Sequence, residues 1–165
     1  LIFDDKSIKN NVPTRRIADA RITYNGFPLR PEFFETKDKI WLRQLFEIDI
    51  DVPVLMIMMG LQGSDSLVDI VKSLFPLSVR FHLLVCIGRN TNIKNALGAL
   101  VLPPLISMTI VEETSRISDF MAISDLIYTK TGSASFCEII QLKVPMMIDG
   151  TSKGLVWEQF NHVFA

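Results

Sequence analysis

Residues 125–142, D-L-I-Y-T-K-T-G-S-A-S-F-C-E-I-I-Q-L, decide how this chain is read. The apolar run Asp125-Leu126-Ile127-Tyr128 reads as a buried strand, and Gly132 permits a tight turn. Ser133 or Ser135 can cap a helix that Phe136 to Leu142 continues. A helix starting there presents backbone amides to an anion. Glu138, in its second turn, comes within reach of a sugar hydroxyl beside a bound phosphate. Strand, glycine turn, helix and acid in this order suggest a nucleotide site, although many plain βα turns have the same outline.

Working outward, the pattern repeats. Residues 53–59 are continuously apolar, as in a strand covered on both faces, and 64–75 carry Leu67, Ile70, Val71 and Leu74 at helical spacing. Strands are then expected at 81–87, 105–111, 126–129 and 144–148, with helices at 91–100, 117–123, 133–142 and 155–164. Ahead of these, 22–24 reads as a short strand closed by Asn25-Gly26, and 33–46 as one amphipathic helix that could pack on the sheet's edge. Strands alternating with helices predict right-handed parallel crossovers, an α/β doubly wound sheet and a ligand beyond the strands' carboxyl ends. The loops Gly60-Leu61-Gln62-Gly63-Ser64, Gly88-Arg89-Asn90 and Thr131-Gly132-Ser133 should therefore share one rim.

Composition narrows the classes. With 165 residues, 48% of them hydrophobic, the chain can bury one ordinary domain core. A formal charge of -1, without a basic run, argues against nucleic acid as a partner. Cys86 and Cys137 lie far apart without metal-ligand spacing, which suggests reduced, buried core thiols in a cytosolic setting. No apolar stretch approaches the roughly 18 residues that span a bilayer. The chain starts at Leu1 and stops inside an apolar pattern at Phe164-Ala165, which suggests a piece of a longer protein. His82 and His162 sit in apolar surroundings and read as satisfied histidines. Asp49-Ile50-Asp51 spells D-x-D, but ahead of a strand's amino end and so on the wrong side of the sheet. Met56, Met58, Met59, Met146 and Met147 read as strand core.

Four motifs in order carry a resemblance. Gly26-Phe27-Pro28-Leu29-Arg30-Pro31 looks like G-x-P-[IV]-R-P, and Leu84 to Asn90 like V-x-C-G-R-N. Ser124-Asp125 with Thr129-Lys130-Thr131-Gly132 looks like A-S-D…T-K-A-G, and Trp157-Glu158-Gln159-Phe160-Asn161 like a closing G-Q-E-x-x-N or Q-Q-x-x-N segment. Together they resemble family 28 glycosyltransferases of the GT-B architecture. Within these, plant-type monogalactosyldiacylglycerol synthases and processive bacterial diacylglycerol glucosyltransferases look most similar. Two departures stand out: Leu61 replaces a small residue of the glycine-rich loop, and Ser133-Ala134-Ser135 replaces Gly-Pro-Gly-Thr.

The resemblance implies the C-terminal, donor-binding half of such an enzyme. Residues 1–31 would be lead-in and interdomain connector, and 32–165 the Rossmann-like nucleotide-sugar domain. By position in the motifs, Arg30, Gly60, Gln62, Gly63, Ser64, Gly132 and Ser133 would surround the donor diphosphate. Glu138, Arg89, Asn90 and Thr114 would meet ribose and base, and Glu158, Gln159 and Asn161 the donor sugar. On the residues alone, Glu138 reads equally as a solvated carboxylate, Arg30 as a surface charge, and Asn90 or Thr91 as a helix cap. The resemblance implies an inverting hexosyltransferase whose catalytic base and acceptor pocket lie in an N-terminal domain absent here. This half would bind a UDP-sugar without turning it over, with no cofactor or metal. It would serve a lipid acceptor such as diacylglycerol, in the cytoplasm or at a membrane face. The alternatives are a UDP-N-acetylglucosamine-dependent cell-envelope glycosyltransferase, a nucleotide-sugar 2-epimerase, or a degenerate non-catalytic nucleotide-binding module.

Overall fold

The computed structural model describes residues 27–60, 64 and 66–151. The strand expected at 22–24 and the helix expected at 155–164 lie outside them. Five parallel strands, β1 (Val54–Met58), β2 (Phe81–Gly88), β3 (Ile106–Glu112), β4 (Leu126–Thr129) and β5 (Met146–Ile148), form one sheet in the order β3-β2-β1-β4-β5. The connecting helices are α2 (Leu67–Ser73), α3 (Thr91–Gly98), α4 (Ile117–Ile123) and α5 (Ser133–Leu142), preceded by α1 (Lys39–Leu45). This is the expected α/β Rossmann-like architecture, and helices 117–123 and 133–142 keep the predicted bounds.

Period-two alternation divides the strand side chains between two layers. Val54, Met56 and Met58 of β1 face a core shared with Leu42 of α1, Met121 of α4 and Ile139 of α5. Ile57 and Met59 face the opposite core, with Leu67 and Val71 of α2 and Ile93 and Leu97 of α3. Both faces of the central strands are thus covered, and hence they read as unbroken apolar runs. Edge strand β5 departs from the all-core reading of its methionines, because Met147 is exposed.

The region 33–46 is not one helix. Pro31–Phe33 forms a 3-10 turn, and α1 begins only at Lys39, where the Asp38 carboxylate accepts the Trp41 amide at 2.9 Å and caps it. Phe33 is drawn into the core, so its segment cannot join the helix axis. Of α1, Leu42 and Arg43 are buried while Ile40, Trp41 and Leu45 stay exposed. The helix packs on α4 rather than on the sheet's edge.

Arg43, only 5% exposed, is the polar centre of this corner. Its guanidinium donates to the carbonyls of Ile123 (3.2 and 2.9 Å), Ile50 (2.9 Å) and Val52 (3.3 Å), and to Asp125 Oδ2 (2.7 Å). The same carboxylate oxygen accepts the Val54 amide at 2.8 Å, and Lys39 reaches Oδ1 at 2.6 Å. A buried guanidinium is tolerated only when its donors are matched in this way. On β2, His82 is 8% exposed and bonded at Nδ1 to Ser107 Oγ (2.7 Å) and at Nε2 to Thr109 Oγ1 (3.0 Å), the satisfied histidine expected.

Two consequences can be measured. Arg43→Met strips donors from three carbonyls and a carboxylate, so the urea midpoint should fall by the equivalent of about 3 kcal/mol or more. Burial, with Arg43 nearby, lowers the pKa of His82. The folded state therefore binds fewer protons than the unfolded one, and this contribution is complete above about pH 6.5 and lost as pH falls below it. Between about pH 7 and 5 the urea midpoint of wild type should fall more steeply than that of His82→Gln.

Candidate functional site

The strand order reverses between β1 and β4: the chain proceeds outward from β1 through β2 to β3, then crosses back to β4 and β5. At such a switch point the loops leaving two neighbouring strands diverge and leave a crevice at their carboxyl ends. Beside it, over the carboxyl ends of β1, β2 and β3 and against α4 and α5, opens a cleft of about 280 Å³ lined by Arg30, Gly60, Gly88, Thr114, Ser135 and Glu138 among others, with Met58 and Cys86 also contributing to its wall.

Each element brings its residue in for a local reason. Phe33, buried in the core, anchors the connector, and the Arg30 guanidinium stacks 5.1 Å from the centroid of its ring. Gly60 follows β1 at φ +90°, which L side chains rarely adopt, and Gly88 ends β2 at φ +59°. Ser135 and Glu138 are three residues apart on α5, so both look into the cleft while Phe136 and Ile139 face the core.

The glycine turn differs from its sequence reading. Gly132 has ordinary dihedrals (φ -56°, ψ 122°), so the turn itself does not demand glycine. Gly132, rather than a serine, is the N-cap of α5, and no side chain caps the helix. A Cβ on Gly132 or Gly60 would meet nothing within 4 Å, so open space stands above both turns. Uncapped amides behind open space favour negative charge.

The electrostatics are mixed. Arg30 Nη1 lies 3.0 Å from Glu32 and Nη2 3.5 Å from Glu138, whose side chain is 14% exposed. Burial pushes the Glu138 carboxyl up, and Arg30 offsets part of that. Across the cleft, Glu113 takes both Arg89 donors at 2.7 Å, which holds its carboxyl below the usual range, while Glu112 pairs with Lys94 at 2.6 Å. Burial raises the Cys86 thiol to about 12, so it is no nucleophile. Cys137 is half-buried rather than core. Among the described residues, no group of three or more His, Cys, Asp or Glu could hold a metal ion.

Of the residues singled out from sequence, Arg30, Gly60, Thr114 and Glu138 meet in this cleft. Gly132 and Ser133 begin α5 next to it without lining it. Ser64 is bonded to Ser66 at 2.7 Å, and neither lines the cleft. Arg89 lies in its ion pair, and Asn90 accepts the Ile93 amide as the cap of α3, the plainer of its two readings. Gln62, Gly63, Glu158, Gln159 and Asn161 lie outside the described residues. Ser135, read from sequence only as a possible helix cap, lines the cleft, and Glu112 and Glu113 were not singled out; the acidic pair closing a predicted strand on the ligand-binding rim was the available signal. Asp49 pairs with Arg80 at 3.1 Å ahead of β1, at the far end of the sheet. Asp125, part of the A-S-D-like motif, is likewise at that far end.

No protein-family model matches the chain. It is 26% identical over 132 residues to a processive diacylglycerol beta-glucosyltransferase of Bacillus subtilis, covering 78% of this chain and 34% of that protein. The same description and identity hold for a relative from Staphylococcus carnosus, over 128 residues, 76% of this chain and 32% of that protein. The chain thus spans about a third of the length of the relatives it matches. Among solved structures, Acinetobacter baumannii MurG superposes with a TM-score of 0.64 at 16% identity, over 87% of this chain and 40% of that one. EarP, solved for its arginine glycosylation of translation elongation factor EF-P, gives 0.54 at 15% identity, over 74% of this chain and 46% of that one. In sequence the chain is similar to part of the processive diacylglycerol beta-glucosyltransferases, and in fold to the GT-B glycosyltransferases MurG and EarP.

Proposed function

We propose that this chain is the donor-binding half of an inverting glycosyltransferase and seats a UDP-sugar in this cleft at the carboxyl ends of the strands. The observation that carries this reading is the meeting of Arg30, Gly60, Ser135 and Glu138 in one cleft, with the uncapped start of α5 next to it. The diphosphate lies over Gly60 and the α5 amides within reach of Arg30, whose planar fork suits phosphate oxygens. Glu138 accepts the ribose hydroxyls, and Thr114 stands toward the base.

In the reaction an acceptor hydroxyl oxygen attacks the anomeric carbon from the face opposite the nucleotide. The bond from that carbon to the diphosphate oxygen breaks with its electron pair, the hydroxyl proton passes to a base, and configuration inverts. Negative charge grows on the leaving diphosphate, where Arg30 and the helix amides are already oriented to meet it, so the reading calls for no metal. The base and the acceptor pocket belong to the remaining two-thirds of a protein of the relatives' length. A volume of about 280 Å³, just below the usual range for ligand pockets of about 300–1,000 Å³, suits a cleft with one wall missing. The likeness to processive diacylglycerol beta-glucosyltransferases supports a hexosyl donor and diacylglycerol as acceptor, which would bring the whole protein to a membrane surface. No helix among the described residues is long and apolar enough to cross one.

Isothermal titration of the chain with UDP in EDTA should show binding in the micromolar to millimolar range, with no sugar transferred when a UDP-hexose and diacylglycerol vesicles are supplied. No heat at millimolar UDP would sink the reading. Glu138→Gln should weaken UDP binding about tenfold or more by turning a charged acceptor into a neutral one, while the melting temperature stays near that of wild type.

A further inference from the structure

Arg30 and Glu138, which the proposed function assigns to different parts of one ligand, are bonded to each other in the ligand-free cleft. Arg30 spreads its fork between two carboxylates: Nη1 to Glu32 at 3.0 Å and Nη2 to Glu138 at 3.5 Å. The second contact lies at the outer limit of a hydrogen bond. Arg30 is 48% exposed and reachable by an incoming anion, whereas Glu138 is 14% exposed and fixed on α5. Phe33 beneath the guanidinium keeps Arg30 close to the cleft whichever partner it takes.

Resting on the UDP-site reading, we propose that Arg30 is a counter-ion that Glu138 surrenders when a diphosphate binds, so that the diphosphate and nucleoside ends of one ligand bind cooperatively and a bare nucleoside is disfavoured. A phosphate oxygen offers Arg30 a shorter, charge-assisted bond than the one it leaves. Its departure strips a mostly buried carboxylate of its donor, a costly state until another donor arrives. The ribose diol brings two hydroxyl donors to the carboxylate whose Oε1 Arg30 vacates. A nucleoside without phosphates must instead displace Arg30 with only Glu32, which it already pairs with, and water to receive it. Linkage makes the coupling reciprocal. The site thereby selects nucleoside diphosphates over nucleosides through an exchange of partners, beyond the sum of separate contacts.

The test uses uridine, inorganic pyrophosphate and UDP as separate calorimetric probes of the 165-residue chain in metal-free buffer. Near-saturating pyrophosphate should tighten uridine binding about fivefold or more. Arg30→Gln should abolish that effect, bind uridine more tightly than wild type because Glu138 is released, and bind UDP more weakly. Pyrophosphate that leaves uridine affinity unchanged or lowers it overturns the proposal, as does an Arg30→Gln variant that loses UDP affinity without gaining any for uridine. If UDP binds and the coupling is absent, this inference alone fails. If UDP does not bind, the site reading fails and takes the inference with it. The wild-type coupling needs no substitution, and an unchanged urea midpoint for Arg30→Gln would exclude misfolding as the cause of its phenotype.

Discussion

The pairing of β1 with β4 is the constraint on which the site depends, and Asp125 sets it. Its backbone amide donates to Val54 O at 2.9 Å and its carboxylate accepts the Val54 amide at 2.8 Å, so one residue clamps the amino ends of both strands. Arg43 holds that carboxylate at 2.7 Å while gathering the carbonyls of Ile50, Val52 and Ile123. Parallel strands transmit a register fixed at one end to the other end, because each ladder bond follows from the last. Met58 therefore lies beside Thr129, and the turns at Gly60 and Gly132 leave neighbouring strands at the same end of the sheet. The polar corner at the bottom of the sheet makes the cleft at its top possible.

The cleft joins rigid and exchangeable parts. Gly60, Gly88 and the start of α5 are set by backbone that packed strands and helices hold in place. The charged side chains are different: Arg30, Glu32, Arg89 and Glu113 sit partly or largely exposed in pairs that water weakens. A scaffold that fixes the amides while leaving its ion pairs loose can trade those pairs for the charges of a ligand at little cost. Loops carried on a doubly wound sheet are suited to this division.

The order of elements was legible because every central strand is covered on both faces and so is written as an unbroken apolar run. The helices around Met121 and Phe136 were legible to the residue, since each is closely bounded by a strand or a turn. The region 33–46 misled because its apolar residues serve different purposes: Phe33 enters the core, Leu42 packs under α1, and Phe34, Ile40 and Trp41 stay outside. Periodicity records which residues are apolar, not which of them a neighbour will cover. The Ser124-Asp125 pair illustrates the same gap at a motif. It carries part of the resemblance, yet its aspartate is structural and lies at the end of the sheet away from the cleft.

Alternation of apolar runs with amphipathic stretches was enough to specify a parallel, doubly wound sheet and the rim on which a ligand would sit, because local burial patterns and crossover handedness leave few alternatives. Residues 30, 60 and 138 could be nominated through the motifs and the turn they sit in, but their meeting with Thr114 in one cleft arises from strands distant in sequence lying side by side. The partnerships of Arg30 with Glu138 and of Arg89 with Glu113 have the same origin. So does the open space in front of Gly132, where an ordinary φ shows that the turn did not require glycine. Such contacts span up to 108 residues of chain, and no local pattern can encode a distance that packing alone creates.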